Sequence, residues 1–367
     1  MLGLIRCATN LGARCKADLQ PQAATLYEVE YLMSSPHLIP AVLPLKIIAT
    51  GMTLPPNRVA SADLDRLLGK PTGYVEKRSG IVYRYHATAD ASQAELAAAA
   101  LHDALEQSGI EADSIDLLIS ASAISVQALP CTAVHILKVS GLAPGTPGFD
   151  INSSCVSFIS ALQVAAGLLN AGTYRRIAIV AADLASRGID WEDEESSLIL
   201  GDGAACVIVE RGDGASGILA SLVETHPSGS ELCEIRAGGT RRNPRAGMID
   251  RDFLFHMRGK QLFRQASALI EDYLTRLLKI SGLTLSQIAT VVPHQASHLS
   301  LEHMRRRLHV SSSVLVDIYR FHGNQVAASI PTALHTAVTS GRFNHGEPVM
   351  LIGTAAGLSL AGMVLMP

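Results

Sequence analysis

The feature of this sequence that most restricts its fold is an internal repeat. Residues 101–123 match residues 274–296 at an offset of 173, and the apolar segment 177–182 matches 350–355 at the same offset. The matched positions of the longer pair are Leu101, Leu105, Ser108, Gly109, Ile110, Ile115, Leu118, Ile119 and Ala123 with Leu274, Leu278, Ser281, Gly282, Leu283, Ile288, Val291, Val292 and Ala296. Each copy is predicted to form an amphipathic helix that ends at a glycine, followed by a loop and an apolar strand. The chain is therefore predicted to be a duplicated α/β unit with helices covering a mostly parallel sheet.

The repeat divides the chain into two halves, which we place at residues 45–213 and 214–367. The turn-rich run Arg211–Gly217 forms the join between them. Residues 1–44 precede the repeat, and their first 17 residues carry three basic side chains and no acidic one, a pattern faintly typical of a transit peptide. We expect this region to be either a loosely ordered N-terminal extension or an upstream start that is not native. We place no chemistry there.

A strand that leads into a small-residue turn and a helix is predicted once in each half. The first is Gly148–Cys155, followed by a helix at Val156–Leu169, and the second is Val316–Asn324, followed by a helix at Val326–Val338. Ligands of open α/β sheets gather at the carboxyl ends of strands. The duplication is therefore expected to bring these two turns together at the centre of the molecule.

The composition excludes several functional classes. The net charge is −3, with 30 basic and 33 acidic residues mixed along the sequence, so a general nucleic-acid binder is not expected. The six cysteines lie far apart without a C-x-x-C pair, which argues against a zinc site or a disulfide framework and favours a reducing compartment. No apolar run reaches the roughly 18 residues needed to span a bilayer. We expect a cytoplasmic protein with small-molecule partners.

Three polar residues at predicted strand ends are the candidates for catalysis. A thiolate at Cys155, where a strand gives way to a helix, would gain from the unpaired N–H groups of the helix start, which lower the pKa of a thiol. His294 follows the apolar strand that Pro293 ends, and Asn324 follows Gly323, which permits a turn that other residues resist. Each residue alone has an ordinary structural explanation: a small buried cysteine, a core histidine, a helix N-cap.

A metal site at His294 is not expected. His298 lies four residues further on, which is a possible spacing for two metal ligands, but no glutamate follows His294 in the H-E-x-x-H order.

Taken together, these residues resemble the β-ketoacyl-acyl-carrier-protein synthase III family of the thiolase superfamily. The resemblance runs from about Lys46 to the C-terminus. The matching segments are Glu76–Ile81, the Cys155 turn, Gly201–Ala204, Val292–Ala296, His322–Asn324 and Ala327–Pro331. The resemblance implies the duplicated, five-layered α-β-α-β-α fold of that superfamily.

The resemblance also implies a reaction in two stages. Cys155 takes an acyl group from a primer, usually an acyl-CoA, and a malonyl-acyl carrier protein then loses carbon dioxide. His294 and Asn324 would donate hydrogen bonds to the resulting enolate, and the backbone N–H groups of Cys155 and Ala356 would bind the oxyanion of the acyl group. The family pattern has a run of glycines where this chain has Ala355-Ala356-Gly357. No cofactor is implied beyond the thioester substrates.

The substrate-binding residues follow from the same resemblance. Tyr74 and Arg78 occupy the positions of an aromatic and a basic residue that bind CoA, whereas Glu194 falls where the family has a second CoA-binding arginine. Leu129 aligns with a loop that crosses a homodimer interface to the partner's acyl pocket. Arg305 and Arg306 could form a surface for an acidic carrier protein, although adjacent arginines are more often a solvated face.

Three other functions are compatible with a fold of this kind: an acyltransferase, a reversible thiolase and a non-catalytic partner subunit. An enzyme of the same fold could transfer the acyl group from Cys155 to an amine or an alcohol without decarboxylation. A reversible thiolase is disfavoured because no cysteine follows Cys233. A non-catalytic partner subunit would be expected to lack the nucleophile, yet Cys155, His294 and Asn324 are all present.

Overall fold

A computed structural model describes residues 42–367 of the chain. Its helices of four residues or more, 3₁₀ turns apart, are α1 Ser61–Leu67, α2 Tyr74–Ser79, α3 Gln93–Ser108, α4 Thr132–Val139, α5 Ser157–Asn170, α6 Gly259–Ser281, α7 His298–Arg307, α8 Tyr319–His322 and α9 Ser329–Thr339. Its strands are β1 Leu43–Pro44, β2 Lys46–Thr53, β3 Arg58–Ala60, β4 Tyr83–Tyr85, β5 Leu117–Ser120, β6 Gly148–Asp150, β7 Arg176–Asp183, β8 Gly203–Glu210, β9 Gly217–Thr225, β10 Cys233–Glu234, β11 His256–Met257, β12 Thr290–Pro293, β13 Val349–Ala355 and β14 Ser359–Met366. Within this part of the chain no helix is both long and apolar enough to cross a bilayer.

The repeat is confirmed at the level of single elements. Gly109 directly follows helix α3, and Gly282 directly follows helix α6. Both glycines adopt the left-handed conformation, with φ of +67° and +70° respectively. One 3₁₀ turn and one strand follow in both copies, 112–114 with 117–120 and 285–287 with 290–293. These pairs keep the offset of the sequence match, so the same amphipathic pattern and glycine stop produce the same structure twice.

The strands form two five-stranded sheets, one from each half. The first sheet has the order β2-β8-β7-β5-β6 and the second has the order β1-β9-β14-β13-β12. The strands of the first sheet lie within residues 46–210, and four of the five strands of the second lie within 217–366. The fifth, Leu43–Pro44, pairs with β9 and lies inside the region we assigned to the N-terminal extension. The rest of that region, residues 1–41, lies outside the described residues.

The expectation of mostly parallel sheets is wrong. Only β5 with β6, β5 with β7, and β12 with β13 are parallel among the pairs of the two large sheets. The chain returns from β13 to β14 through the short turn Ala356–Leu358, which is too short for a crossover helix and produces an antiparallel hairpin. Strand β8 is likewise antiparallel to β7. Mixed sheets therefore replace the parallel ones.

The hydrophobic cores define five layers, which confirms the α-β-α-β-α prediction. One core packs α3 and α4 on the outer face of the first sheet, and another packs α6 on the outer face of the second. The largest core lies between the sheets and includes residues of α5 and α9 together with strands of both. Helix α5 contacts β14 of the second sheet, and α9 contacts β2 and β8 of the first. The two halves therefore interlock through their central helices.

One predicted strand in the second half is also wrong. Val316–Asn324 does not form a strand: Leu315 makes an isolated parallel bridge to Val291, and the short helix α8 then occupies Tyr319–His322. The following helix begins at Ser329 after a 3₁₀ turn at 326–328. Gln295 explains the local structure, because its side-chain oxygen accepts from the backbone N–H groups of Ile318 and Tyr319 at 3.0 and 3.1 Å. These bonds replace the strand ladder that the apolar pattern indicates.

Close packing of β2 against α3 leads to a stability prediction. A β-carbon on Gly51 would meet the backbone of Ala100 and Ala104 in α3, which cannot move aside as a side chain can. We expect Gly51→Ala to lower the free energy of unfolding by about 1–3 kcal/mol, as overpacking does. Gly167→Ala is the matched control, because Gly167 lies within α5 with open space around it and should gain up to about 1 kcal/mol from helix propensity. Thermal and denaturant unfolding measure both, and equal stability of the two variants would contradict the packing described.

Candidate active site

Cys155 lies in a strained turn between β6 and α5. The preceding residue, Ser154, has a φ of +54°, a backbone conformation that residues other than glycine seldom adopt. The side-chain oxygen of Asn152 accepts from the N–H of Ser154 at 2.9 Å, and the Ser157 hydroxyl accepts from the N–H of Ser153 at 2.9 Å. These local bonds stabilise the turn that presents the thiol immediately before the helix.

The expected lowering of the Cys155 pKa is not found. Burial raises the pKa of the Cys155 thiol to about 12, and the nearby Asp183 carboxylate raises it further. Hydrogen bonds from the backbone N–H groups of Ala356 and of Cys155 itself act in the opposite direction but are outweighed. The thiol is therefore protonated at neutral pH, because desolvation of a thiolate costs more than these donors return.

His294 lies directly after β12 and is almost completely buried. Its backbone N–H donates to the carbonyl of Ile352 at 2.8 Å, which ties it to β13. Burial lowers the pKa of its imidazole to about 4, so the ring is neutral at pH 7. Its Nδ1 atom has no hydrogen-bond partner among the described residues. Across the same part of the chain there is no cluster of three metal-ligating side chains, at His298 or elsewhere.

Asn324 is oriented by bonds on both ends of its carboxamide. Gly323 precedes it at φ +68°, and a β-carbon there would lie 2.8 Å from the carbonyl oxygen of Ile199. The Asn324 N–H donates to that same carbonyl at 2.8 Å. The Oδ1 atom accepts from the N–H of Val326 at 2.9 Å, whereas Nδ2 donates to the carbonyl of Ala296 at 3.3 Å. One N–H of the amide group remains available as a donor.

Tertiary contacts bring the three predicted residues to one place. The position that a β-carbon on Gly353 would occupy is 2.9 Å from Cβ of His294 and 3.0 Å from Cγ1 of Val156, the neighbour of Cys155. Three residues further along the chain, the Ala356 N–H reaches the Cys155 sulfur. The Asn324 amide is bonded to Ala296, two residues after His294. Contacts of their chain neighbours therefore place the thiol, the neutral imidazole and the carboxamide donor in the same region of the molecule.

Tyr74, one of the two predicted CoA-binding residues, is hydrogen-bonded to an acidic neighbour. The Tyr74 hydroxyl donates to the Glu194 carboxylate at 2.7 Å, and Lys70 forms an ion pair with the same carboxylate. These bonds lower the pKa of Glu194, as does the charge of Arg78. Arg78 itself is exposed and forms no ion pair with any described residue.

Two other predictions concern the surface. Leu129 is 83% exposed and therefore does not line the acyl site of its own chain. Arg305 and Arg306 both bind Glu302 on their own helix, at 2.7 and 3.1 Å, so much of their charge is balanced locally.

Sequence reasoning missed Asp183, a fully buried carboxylate at the end of β7 that faces the thiol. A signal for it existed in the repeat, because Asp183 stands 173 residues before Ala356. Applying the offset to the predicted oxyanion residue would have identified it.

The five-layered duplicated fold and the cysteine at its centre define a thiolase-like condensing enzyme. A family described as 3-oxoacyl-[acyl-carrier-protein (ACP)] synthase III matches residues 149–227, and its C-terminal region matches residues 278–366. The chain is 31% identical over 320 residues to the β-ketoacyl-[acyl-carrier-protein] synthase III of Neisseria meningitidis serogroup B, covering 87% of this chain and 98% of the relative. It is 33% identical over 316 residues to that of Erythrobacter litoralis, covering 85% and 96%.

A solved structure of the same family has the same fold. The crystal structure of 3-oxoacyl-[acyl-carrier-protein] synthase III from Aquifex aeolicus superposes with a TM-score of 0.78 at 28% identity, over 88% of this chain and 100% of that one. This chain belongs to the 3-oxoacyl-[acyl-carrier-protein] synthase III family.

The raised pKa of the thiol leads to a test of the site in its resting state. Only the thiolate reacts with iodoacetamide, so the alkylation rate of Cys155 should increase about tenfold for each pH unit between pH 7 and pH 10. Intact-mass spectrometry follows the reaction, with Cys155→Ser as the control for alkylation at other cysteines. A rate that reaches a plateau below pH 9 would mean that the backbone donors outweigh burial.

Proposed function

We propose that this chain joins an acyl thioester to a malonyl thioester through an acyl group held on Cys155. In the first stage the sulfur attacks the carbonyl of an acyl-CoA primer, and the carbon–sulfur bond to CoA breaks. Neutral His294 takes the proton of the thiol and returns it to the departing CoA thiolate. The products are the acyl-enzyme and free CoA. The low pKa of the imidazole and the high pKa of the thiol keep both groups neutral before substrate binds, so the proton has to move as the sulfur attacks the carbonyl and not before.

The observation that carries the proposal is the pair of backbone N–H groups at the thiol. The backbone N–H groups of Ala356 and Cys155 both lower the pKa of the thiol, so they lie near enough to serve as two donors for an acyl carbonyl bonded to that sulfur. Such donors stabilise the oxyanion without reorganisation when the charge develops. The methyl groups of Ala355 and Ala356 do not prevent this, because the donor is a backbone group.

The second stage is a decarboxylative condensation with malonyl-acyl carrier protein. Loss of carbon dioxide leaves an enolate, whose oxygen accepts hydrogen bonds from His294 and Asn324. The enolate carbon then attacks the acyl carbonyl on Cys155, the carbon–sulfur bond breaks, and a 3-oxoacyl carrier protein leaves. The buried surroundings of both donors support this role, because donors act more strongly where water is excluded. The Cys155 thiolate released in this step takes one proton from water, which restores the thiol. The two thioesters and this proton supply every atom of the reaction, so the proposal names no cofactor.

The carrier protein is proposed to dock at α7. Arg306 and Arg307 line a groove together with Leu274 and Leu278 of α6 and with Glu271, which forms an ion pair with Arg307 at 3.1 Å. A basic rim over an apolar floor suits an acidic helical partner. The Glu302 carboxylate that Arg305 and Arg306 share leaves one positive charge in excess.

We also propose that the enzyme is a cytoplasmic homodimer. The first sheet ends at β6, whose residues are only half-buried, and the loop that carries Leu129 stands exposed nearby. Pairing of two copies at this edge would cover unpaired backbone groups and place Leu129 against the partner's acyl site. Light scattering that finds a monomer at micromolar concentration would contradict both the dimer and this position of Leu129.

Separating the two stages tests the proposed roles. Cys155→Ala should abolish the acyl-enzyme in intact-mass spectra after incubation with a panel of acyl-CoAs. Asn324→Ala and His294→Ala should lower the release of carbon dioxide from malonyl-acyl carrier protein by about 10²–10³-fold each, as the loss of one oxyanion donor does. Asn324→Ala should still acquire the acyl group. Acyl transfer to an amine or alcohol with no carbon dioxide released would instead support the alternative acyltransferase.

The acidic neighbour of Tyr74 leads to a prediction about primer binding. Glu194→Gln removes a negative charge beside the proposed CoA site, so KM for acyl-CoA should fall about two- to fivefold at low salt, with less effect at high salt. KM for the matching acyl-pantetheine, which lacks the nucleotide phosphates, should not change. Glu192→Gln is the control, because Glu192 is 83% exposed and, among the described residues, pairs only with Arg251. An equal effect on both primers would argue against a nucleotide at this position.

A further inference from the structure

Asp183 is a buried carboxylate without a basic partner in the part of the chain that the structure describes. It ends β7 and is fully buried. Its Oδ1 accepts from the N–H groups of Ala123 and Ile124 at 3.1 and 2.8 Å, and its Oδ2 accepts from the N–H of Ala327 at 3.0 Å. Buried carboxylates are costly unless their oxygens are well satisfied, and here backbone donors from two separate segments satisfy them.

One of these segments carries Asn324. The residue before Ala327 is Val326, whose φ of +53° is unfavourable for a β-branched side chain. Val326 donates to the side chain of Asn324, and the next N–H along the chain donates to Asp183. The carboxylate therefore holds the strained turn that orients the carboxamide.

The other segment leads to Cys155. The carbonyl of Ala123 accepts from the Asn152 side chain at 2.9 Å, and the same side chain accepts from the N–H of Ser154 at 2.9 Å. Ser154 is the strained residue immediately before the nucleophile. An unbroken set of hydrogen bonds thus runs from Asp183 through Ala123 and Asn152 to the turn that presents the thiol.

The repeat places Asp183 opposite the oxyanion donor. Asp183 and Ala356 are separated by the offset of 173: Asp183 is the last residue of β7, and Ala356 is the first residue after β13. Both act on Cys155: the Ala356 N–H donates to the sulfur, and the Asp183 charge disfavours its ionisation. At equivalent positions, the first half therefore has a carboxylate that accepts hydrogen bonds, and the second half has a backbone N–H that donates one.

We propose that Asp183 is the positioning residue of this site, because its carboxylate joins the turn before Cys155 and the turn after Asn324 into one bonded unit. The inference rests on the proposed function, in which these two residues act in successive stages on one substrate. A displacement of about 1 Å between such groups costs up to about a hundredfold in rate. A carboxylate that only filled space in the core would have no such link to both turns.

The charge of Asp183 provides a readout that a purely structural residue would not move. The titratable groups that interact electrostatically with the Cys155 thiol are Asp183 on β7 and Cys233 on β10, and His294 after β12 lies close to the next residue, Val156. Of these, Asp183 is the one whose negative charge raises the pKa of the thiol. Burial raises the pKa of Asp183 itself to about 7, so its carboxylate is mostly charged at pH 8. Asp183→Asn removes this charge and one of the two acceptor oxygens, so the thiol should ionise more easily while the Asn324 turn loses a hydrogen bond.

The experiment compares the full-length protein with Asp183→Asn. Alkylation of Cys155 by iodoacetamide at pH 8 should become about three- to tenfold faster. Condensation with malonyl-acyl carrier protein should become at least about tenfold slower. Asp202→Asn is the matched control: Asp202 is equally buried and accepts from the N–H groups of Ala87 and Ser186, both at 2.7 Å, but does not face the thiol. It should lose thermal stability without faster alkylation.

If Asp183→Asn slows alkylation and condensation in parallel, its role is structural and the proposal is overturned. If Asp183→Asn does not fold, Asn152→Ala tests the same link at an exposed side chain, where folding should tolerate the change. That variant should acylate at least about threefold more slowly with normal decarboxylation, and an unchanged acylation rate would overturn the link. Wild-type enzyme that is never acylated would instead refute the proposed function.

Discussion

The apolar layer between the two sheets is the interaction on which the rest of the structure depends. Its core takes residues from both halves, and each central helix contacts the sheet of the other half as well as its own. Burying this surface is favourable at roughly 25 cal/mol per Å² of apolar area removed from water. Neither half can complete that burial alone. The candidate site takes Cys155 from the first half and His294 and Asn324 from the second, so the packing that stabilises the fold also holds these residues in place.

The same burial sets the protonation states at the site. Water is largely excluded from His294, and burial raises the pKa of the Cys155 thiol. A charge in such surroundings is unfavourable, so the thiol keeps its proton and the imidazole stays neutral. This arrangement suits chemistry in which charge develops only when substrate is present. Backbone donors and a carboxamide can then stabilise the oxyanion and the enolate without first competing with water.

Much of the fold could be predicted from the sequence, because its signals are local and occur twice. The helix periodicity, the glycines at 109 and 282 and the apolar strands that follow them are short-range features, and each copy supports the other. The direction of β8 and β14 was not predictable in this way, since strand pairing is decided by loop length and by neighbours. The short helix α8 was also missed, because Gln295, 23 and 24 residues away, supplies the acceptor that replaces a strand ladder.

What the sequence determined by itself was the duplication and the identity of three candidate side chains at predicted strand ends, and the family resemblance implied the five layers. The duplication and the candidates follow from spacing along the chain and from residue chemistry. Only the tertiary structure decided the electrostatics of the site: the raised pKa of Cys155, the buried carboxylate of Asp183 and the bonds of Glu194 to Lys70 and Tyr74. The physical reason is that desolvation and Coulomb interactions depend on distance in space. Asp183 and Ala327 are separated by 144 residues along the chain, yet the backbone nitrogen of Ala327 lies 3.0 Å from Oδ2 of Asp183.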